Sequence, residues 1–190
     1  MRVSKADAEK NRARLLAAAA KQLREQGIEG VGVDALAKAA GLTHGGVYSH
    51  FKSKDELTAA AVAHALQTSS REWLALMEGV EPDEAFRRMI GVYVSRHHRD
   101  AVGEGCSIAT LGAGAGRGGK KLRTTFAQGV EGLIGMMAAA SGSATDKGGR
   151  ATAIANTAAM VGAIVMARAA GANQELSDEI LKTVRAELLK

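Results

Sequence analysis

Two short helical patterns meet at a glycine turn between Asp34 and Phe51. The first runs from Asp34 to Ala40 and stops at Gly41. The second opens on Thr43, a good N-cap residue, and continues to Phe51. Two short helices joined by a three- or four-residue glycine turn make a helix-turn-helix. Ala35, Leu36, Ala39, Leu42, Val47 and Phe51 are expected to bury against a preceding helix, Ser4 to Gln26. That helix repeats Leu15, Ala19 and Leu23 at i, i+4 and i+8, and Gly27 fits its C-terminal stop.

Burial of those groups leaves a polar face on the second short helix. It carries Thr43, His44, Gly45, Gly46, Ser49 and His50. Such a face can enter the major groove of DNA. Gly45 and Gly46 each cost about 1 kcal/mol in a helix interior. In return they let the backbone approach base edges and thymine methyl groups. His44 and Ser49 are then the polar readers. Tyr48, His50 and Lys54 are placed for phosphate contacts, which fix register without reading sequence. Thr43 can cap the helix and also bond a phosphate.

Alanine and leucine dominate the chain, long alternating runs of Val, Ile and Thr are missing, and Pro82 is the one proline. An all-α protein follows. The formal charge is +5, of which +3 lies in the first 56 of 190 residues, so the more basic third is also the one with the reading face. Cys106 is the one cysteine, which excludes an intrachain disulfide and suits a reducing cytoplasm. The N-terminus has no apolar signal core. The most apolar segment, Ala151 to Gly171, contains Asn156 and Arg168, and its uninterrupted apolar run is well short of the roughly 18 residues a membrane helix needs. A cytoplasmic location without membrane contact is expected.

Farther along, Ser53 and Glu56 form an S-x-x-E capping box for a long helix to about Met77. Pro82 starts another, ending near the charged run Arg96 to Asp100. Loop is expected over Gly103 to Cys106 and Gly112 to Gly119. Helices are expected over Lys120 to Ala140, Asp146 to Ala170 and Glu175 to Lys190. This divides the chain into a helix-turn-helix unit, residues 1–55, and a second helical domain, residues 56–190, with the long helix shared between them.

The stretch AGLTHGGVYSHFKSKDEL, with LLAAAAKQLREQGIEGVGVDALAKAAG upstream, resembles the N-terminal domain of TetR-family transcriptional regulators. The resemblance covers about Arg12 to Ala61, departing at Gly46, where many members carry Thr or Ser. It implies a three-helix DNA-binding domain followed by a C-terminal ligand-binding and dimerisation domain. It also implies a homodimer on a palindromic operator in double-stranded DNA, most often a repressor released by a small-molecule effector. Effector entry is expected to shift the fourth helix and move the two heads out of register.

In the second domain the bulky groups Trp73, Met77, Phe86, Tyr93 and Phe126 are chiefly core, and a subset is expected to line an apolar effector pocket with Cys106. Cys106 reads either as a small buried residue or as a thiol sensor that takes an electrophilic effector. Met160, Val161, Ile164, Val165 and Arg168, with Ile180 and Val184 of the last helix, are candidates for a four-helix dimer interface. That would set two recognition helices roughly 34–36 Å apart, one DNA turn, or somewhat more.

Other signals point elsewhere and are weaker. GAGRGGKK, Gly114 to Lys121, nearly matches a phosphate loop, but Lys121 replaces the metal-binding hydroxyl. His97 and His98 are adjacent and make a poor chelate with Cys106. No catalytic constellation has informative spacing, so neither an enzyme nor a cofactor or metal is expected. A nonspecific architectural DNA-binding protein is the alternative function, and the modest charge argues against broad coating of DNA.

Overall fold

The computed structural model describes residues 4–142 and 148–190. Among these it contains ten α-helices and no strand. Ser4 caps α1 (Lys5–Gln26) by accepting from the Asp7 N–H, and Gly27 ends it at φ +80°, a conformation that favours glycine. Next come α2 (Val33–Ala39), the turn at Gly41 with φ +66°, and α3 (His44–Tyr48). Thr43 caps α3, its hydroxyl accepting from the Gly46 N–H at 3.1 Å.

Ser53 caps α4 (Lys54–Met77), accepting from the Glu56 N–H at 3.1 Å. The Glu56 carboxylate accepts from the Lys52 N–H at 2.8 Å, one residue before the usual reciprocal partner of a capping box. That bond, ahead of the Lys121 charge nearby, holds its pKa below the ordinary range. The chain continues through α5 (Pro82–Tyr93), α6 (Arg96–Asp100), α7 (Ser107–Ala115), α8 (Lys120–Ala140), α9 (Gly149–Ala169) and α10 (Gln174–Leu188).

Several expectations need correction. The glycine cluster is not all loop, because Ser107–Ala115 is helical and buries Leu111 and Ala115. Gly112 and Gly114 lower helix propensity, but packing overrides it. At Gly114 a Cβ would sit 3.3 Å from Ile28 Cδ1, so glycine permits that close approach. Ala35 and Ala39 face solvent, and α2 instead buries Leu36 and Ala37. The helix α3 ends at Tyr48, before Phe51. The expected start at Asp146 lies outside the described residues.

Two cores result. The first joins α1 to α4 through Leu15, Leu23, Leu36, Val47 and Leu57, and draws in Leu111, Leu122 and Phe126 from α7 and α8. The second joins α5, α8, α9 and α10 through Met89, Tyr93, Met137, Met160, Ile164 and Leu181. By length and composition α9 could cross a membrane, and a third of its most apolar window is buried in this fold. It packs between α8 and α10, and its Arg150 pairs with Glu131 of α8 at 2.7 Å.

Candidate functional site

The reading head is built by the first core, which fixes α3 through buried Val47 and leaves its opposite face open. Thr43, His44, Gly45, Tyr48 and Ser49 are exposed, while Gly46, His50 and Lys54 are half-buried. The eight residues lie on α3, its flanking residues and the first residue of α4. The His44 Nδ1 bonds the Asp34 carboxylate of α2, and its ring lies 5.0 Å from that of Tyr48. The Ser49 hydroxyl donates to the Gly46 carbonyl at 2.7 Å, which leaves its lone pairs to accept. The Arg12 guanidinium of α1 lies 5.2 Å over the Phe51 ring and ties α1 to the end of this unit.

The two glycines differ. Nothing lies within 4 Å of a Cβ placed on Gly45, whereas one on Gly46 would sit 3.3 Å from Thr43 Oγ1. Gly45→Ala should therefore stabilise the fold by up to about 1 kcal/mol. Gly46→Ala should gain less, because the capping hydroxyl must yield. Urea unfolding of both variants measures the difference.

Elsewhere, α4, α5, α6 and the turn before α7 line a half-open cavity of about 350 Å³. Trp73 and Leu76 form one wall, His98 and Cys106 another, and Glu72 and Glu104 stand at its rim. The His98 Nε2 accepts from the Cys106 N–H at 2.9 Å, and Nδ1–H donates to the Tyr93 carbonyl at 2.7 Å. These bonds assign a neutral ring with its proton on Nδ1. Burial first, then the charges of Arg168 and His97, lower its pKa to about 4.

Tyr93 stacks on Trp73 at 5.9 Å and meets His98 edge-on at 4.5 Å. It is fully buried, and its hydroxyl has no oxygen or nitrogen partner, facing only the weakly bonding Cys106 thiol. Burial pushes its pKa well up. Removing a bonded tyrosine hydroxyl costs about 1 kcal/mol. Tyr93→Phe should instead leave stability unchanged or raise it, as thermal melting will read.

The expected pocket set does not converge. Trp73 and Cys106 line the cavity, and Tyr93 lies behind its wall. Met77 borders a separate depression near Pro82, Phe86 packs on the second core, and Phe126 lies in the first. Two arginines hold the turn at 103–107 and the helices that flank it. Arg168 donates to the carbonyls of His98 at 2.7 Å and Arg99 at 3.0 Å and to the Thr110 hydroxyl at 2.9 Å. Its guanidinium is therefore turned inward, toward α6 and α7. Arg24 of α1 donates to the Gly103 carbonyl. Sequence reading missed the two rim carboxylates and Arg24, since nothing local marks an Arg24 partner some 79 positions away.

An exposed helix-turn-helix on an all-helical body defines a DNA-binding regulator of transcription. Residues 15–61 match the family described as bacterial regulatory proteins, tetR family. No curated protein matches the chain. Solved structures do match along nearly its whole length. A TetR-family regulator from Agrobacterium tumefaciens aligns with TM-score 0.79 at 19% identity, over 95% of this chain and 98% of that one. The regulatory protein TetR from Rhodobacter sphaeroides aligns with TM-score 0.74 at 24% identity, over 93% and 95%. Escherichia coli NemR aligns with TM-score 0.74 at 20% identity, over 92% and 95%. Residues 15–61 thus carry the tetR-family regulatory domain, and the chain as a whole shares the fold of these structures.

Proposed function

We propose that the protein is a homodimeric repressor that leaves a palindromic operator when a small apolar or electrophilic molecule enters the cavity at Cys106. The observation that carries this reading is the cavity itself. It is walled by Trp73 and Leu76 and reaches a thiol that is otherwise buried. An α,β-unsaturated carbonyl compound fits both descriptions. The Cys106 Sγ bonds its β-carbon, the carbon–carbon double bond is consumed, and the thiol proton ends on the α-carbon. Escherichia coli NemR, one of the structural neighbours, was solved in a reduced form.

At the head, His44 and Ser49 read base edges, with Gly45 and Gly46 allowing close approach. Thr43, Tyr48, His50 and Lys54 hold phosphates. The dimer reading rests on the exposed apolar groups Ile154, Val165 and Met166 of α9 and Leu176 of α10, flanked by half-buried Val161, Ile180 and Val184. Two residues named from sequence leave this set. Met160 and Ile164 have no exposed surface, because they fill the core of their own chain.

The test is a footprint at physiological salt on the region upstream of the protein's own gene. A Tyr48→Ala, Lys54→Ala double variant serves as control. Protection of a palindrome, lost in the variant, supports the reading. Sequence-blind binding favours the architectural alternative. Release of the protected site by N-ethylmaleimide in wild type, and not in Cys106→Ser, tests the effector half.

A further inference from the structure

Arg24 lies in the last turn of α1, the helix whose buried face carries Leu15 and Leu23 into the core of the reading head. Its guanidinium reaches out of that core to another part of the chain. Nε donates to the Gly103 carbonyl at 2.7 Å, Nη2 donates to the same oxygen, and Nη1 reaches the Ser107 hydroxyl at 3.5 Å. Gly103 and Ser107 bracket the turn whose residues Glu104, Gly105 and Cys106 wall the cavity. The same turn is fastened on its other side by His98 and, through the His98 carbonyl, by Arg168.

The contact between α1 and the turn is tight as well as bonded. A Cβ on Gly103 would lie 2.4 Å from the Glu25 carboxylate, so the turn cannot move toward α1 without displacing it. The guanidinium fork is planar and holds one carbonyl with two N–H groups, which transmits direction better than a single flexible donor. Its acceptors are neutral.

We propose that Arg24 is the positioning residue that carries the state of the cavity to the reading head. Displacement of the Gly103–Ser107 turn pulls or frees α1, and with it the seat of α2 and α3. This inference rests on the effector-responsive reading above, and adds to it a route that bypasses α4.

The test needs no known effector. Gly105→Ala places a Cβ 2.8 Å from His98 Cδ2 and 2.9 Å from Arg168 Nη2, so the turn or the two side chains that border it must shift. Carbamidomethylation of Cys106 with iodoacetamide is a second way to fill the cavity. There Sγ displaces iodide from carbon, and the thiol proton goes to solvent. Affinity for a duplex selected by wild type from a random-sequence library is measured with and without each perturbation, in wild-type and Arg24→Gln backgrounds. Each perturbation should weaken binding at least about tenfold in wild type, as expected of coupled sites. In the Arg24→Gln background, where no guanidinium fork grips the carbonyl, the loss should be less than about threefold. Equal fold-losses in both backgrounds would overturn the Arg24 route while leaving the effector reading intact. If neither perturbation alters wild-type affinity, the effector reading falls and the route with it. Circular dichroism establishes that each variant is folded, and the alkylation arm decides alone should Gly105→Ala unfold.

Discussion

Acidification from pH 7 to below pH 4.5 should cost the fold about 2–3 kcal/mol through His98 alone. In the unfolded chain this imidazole takes its proton near its ordinary value of 6.5, and in the fold only near 4. Between those values the unfolded state holds more protons, so lowering the pH draws the equilibrium toward it. The stabilisation is complete above about pH 6.5 and is lost as the pH falls toward 4. Protonation of Nε2 removes the acceptor of the Cys106 N–H and sets a cation beside Arg168 and His97. Ordinary carboxylates begin to titrate at the low end of this range, whereas Asp178, its pKa held down first by the Arg99 hydrogen bond, does so only at lower pH. A His98→Gln variant separates the two contributions, because its amide oxygen can still accept from Cys106 but does not titrate. Urea unfolding at pH 7 and pH 4.5 should show a wild-type loss larger than the variant's by this amount. Equal losses would mean that His98 is not the neutral, doubly bonded ring described.

Val165→Glu combined with Met166→Glu should leave the protomer folded, abolish the dimer and lower affinity for a palindromic site by about 10²–10⁴-fold. Both side chains are largely exposed, Met166 at 57%, so the charges meet water in the protomer and are buried only against a partner. The affinity loss follows because the second half-site is otherwise captured at a high effective concentration. Met160→Ala, on the same helix, should behave in the opposite way. It should destabilise the protomer by about 2–5 kcal/mol and leave the interface chemistry in place. Sedimentation equilibrium and thermal melting on both variants separate the two faces of α9. Dimers that survive the paired glutamates would move the interface elsewhere.

These two faces illustrate where the sequence is informative. Periodicity located α9, α8 and α5 well, and capping residues placed the starts of α3, α4 and α5 at Thr43, Ser53 and Pro82. The reading head was legible because helix-turn-helix chemistry is local, within Asp34 to Phe51. Which side of an apolar helix faces its own core and which faces outward is not local. Met160 and Val165 are equally apolar, and only the positions of α8 and α10 distinguish them. The same holds for α7. Its glycines read as loop, and the Ile28 side chain that makes Gly114 useful comes from a distant segment. The cavity was half legible. Trp73 and Cys106 were found through their rarity. His98 was set aside as half of a poor chelate, and its role depends on two hydrogen bonds across a turn.

The length of α4 has a consequence of scale. Its 24 residues span about 36 Å, with Leu57 in the core of the head at one end and Trp73 on the cavity wall near the other. A rod of that length, tilted by about 5°, sweeps its far end through about 3 Å, close to the roughly 3.4 Å rise of one base step. In the proposed dimer two such rods, related by a two-fold axis, would sweep in opposite senses, so the gap between their tips would change by nearly two base steps. In the proposed repressor, a molecule at the cavity that tilts α4 by that angle would misalign both heads with their half-sites.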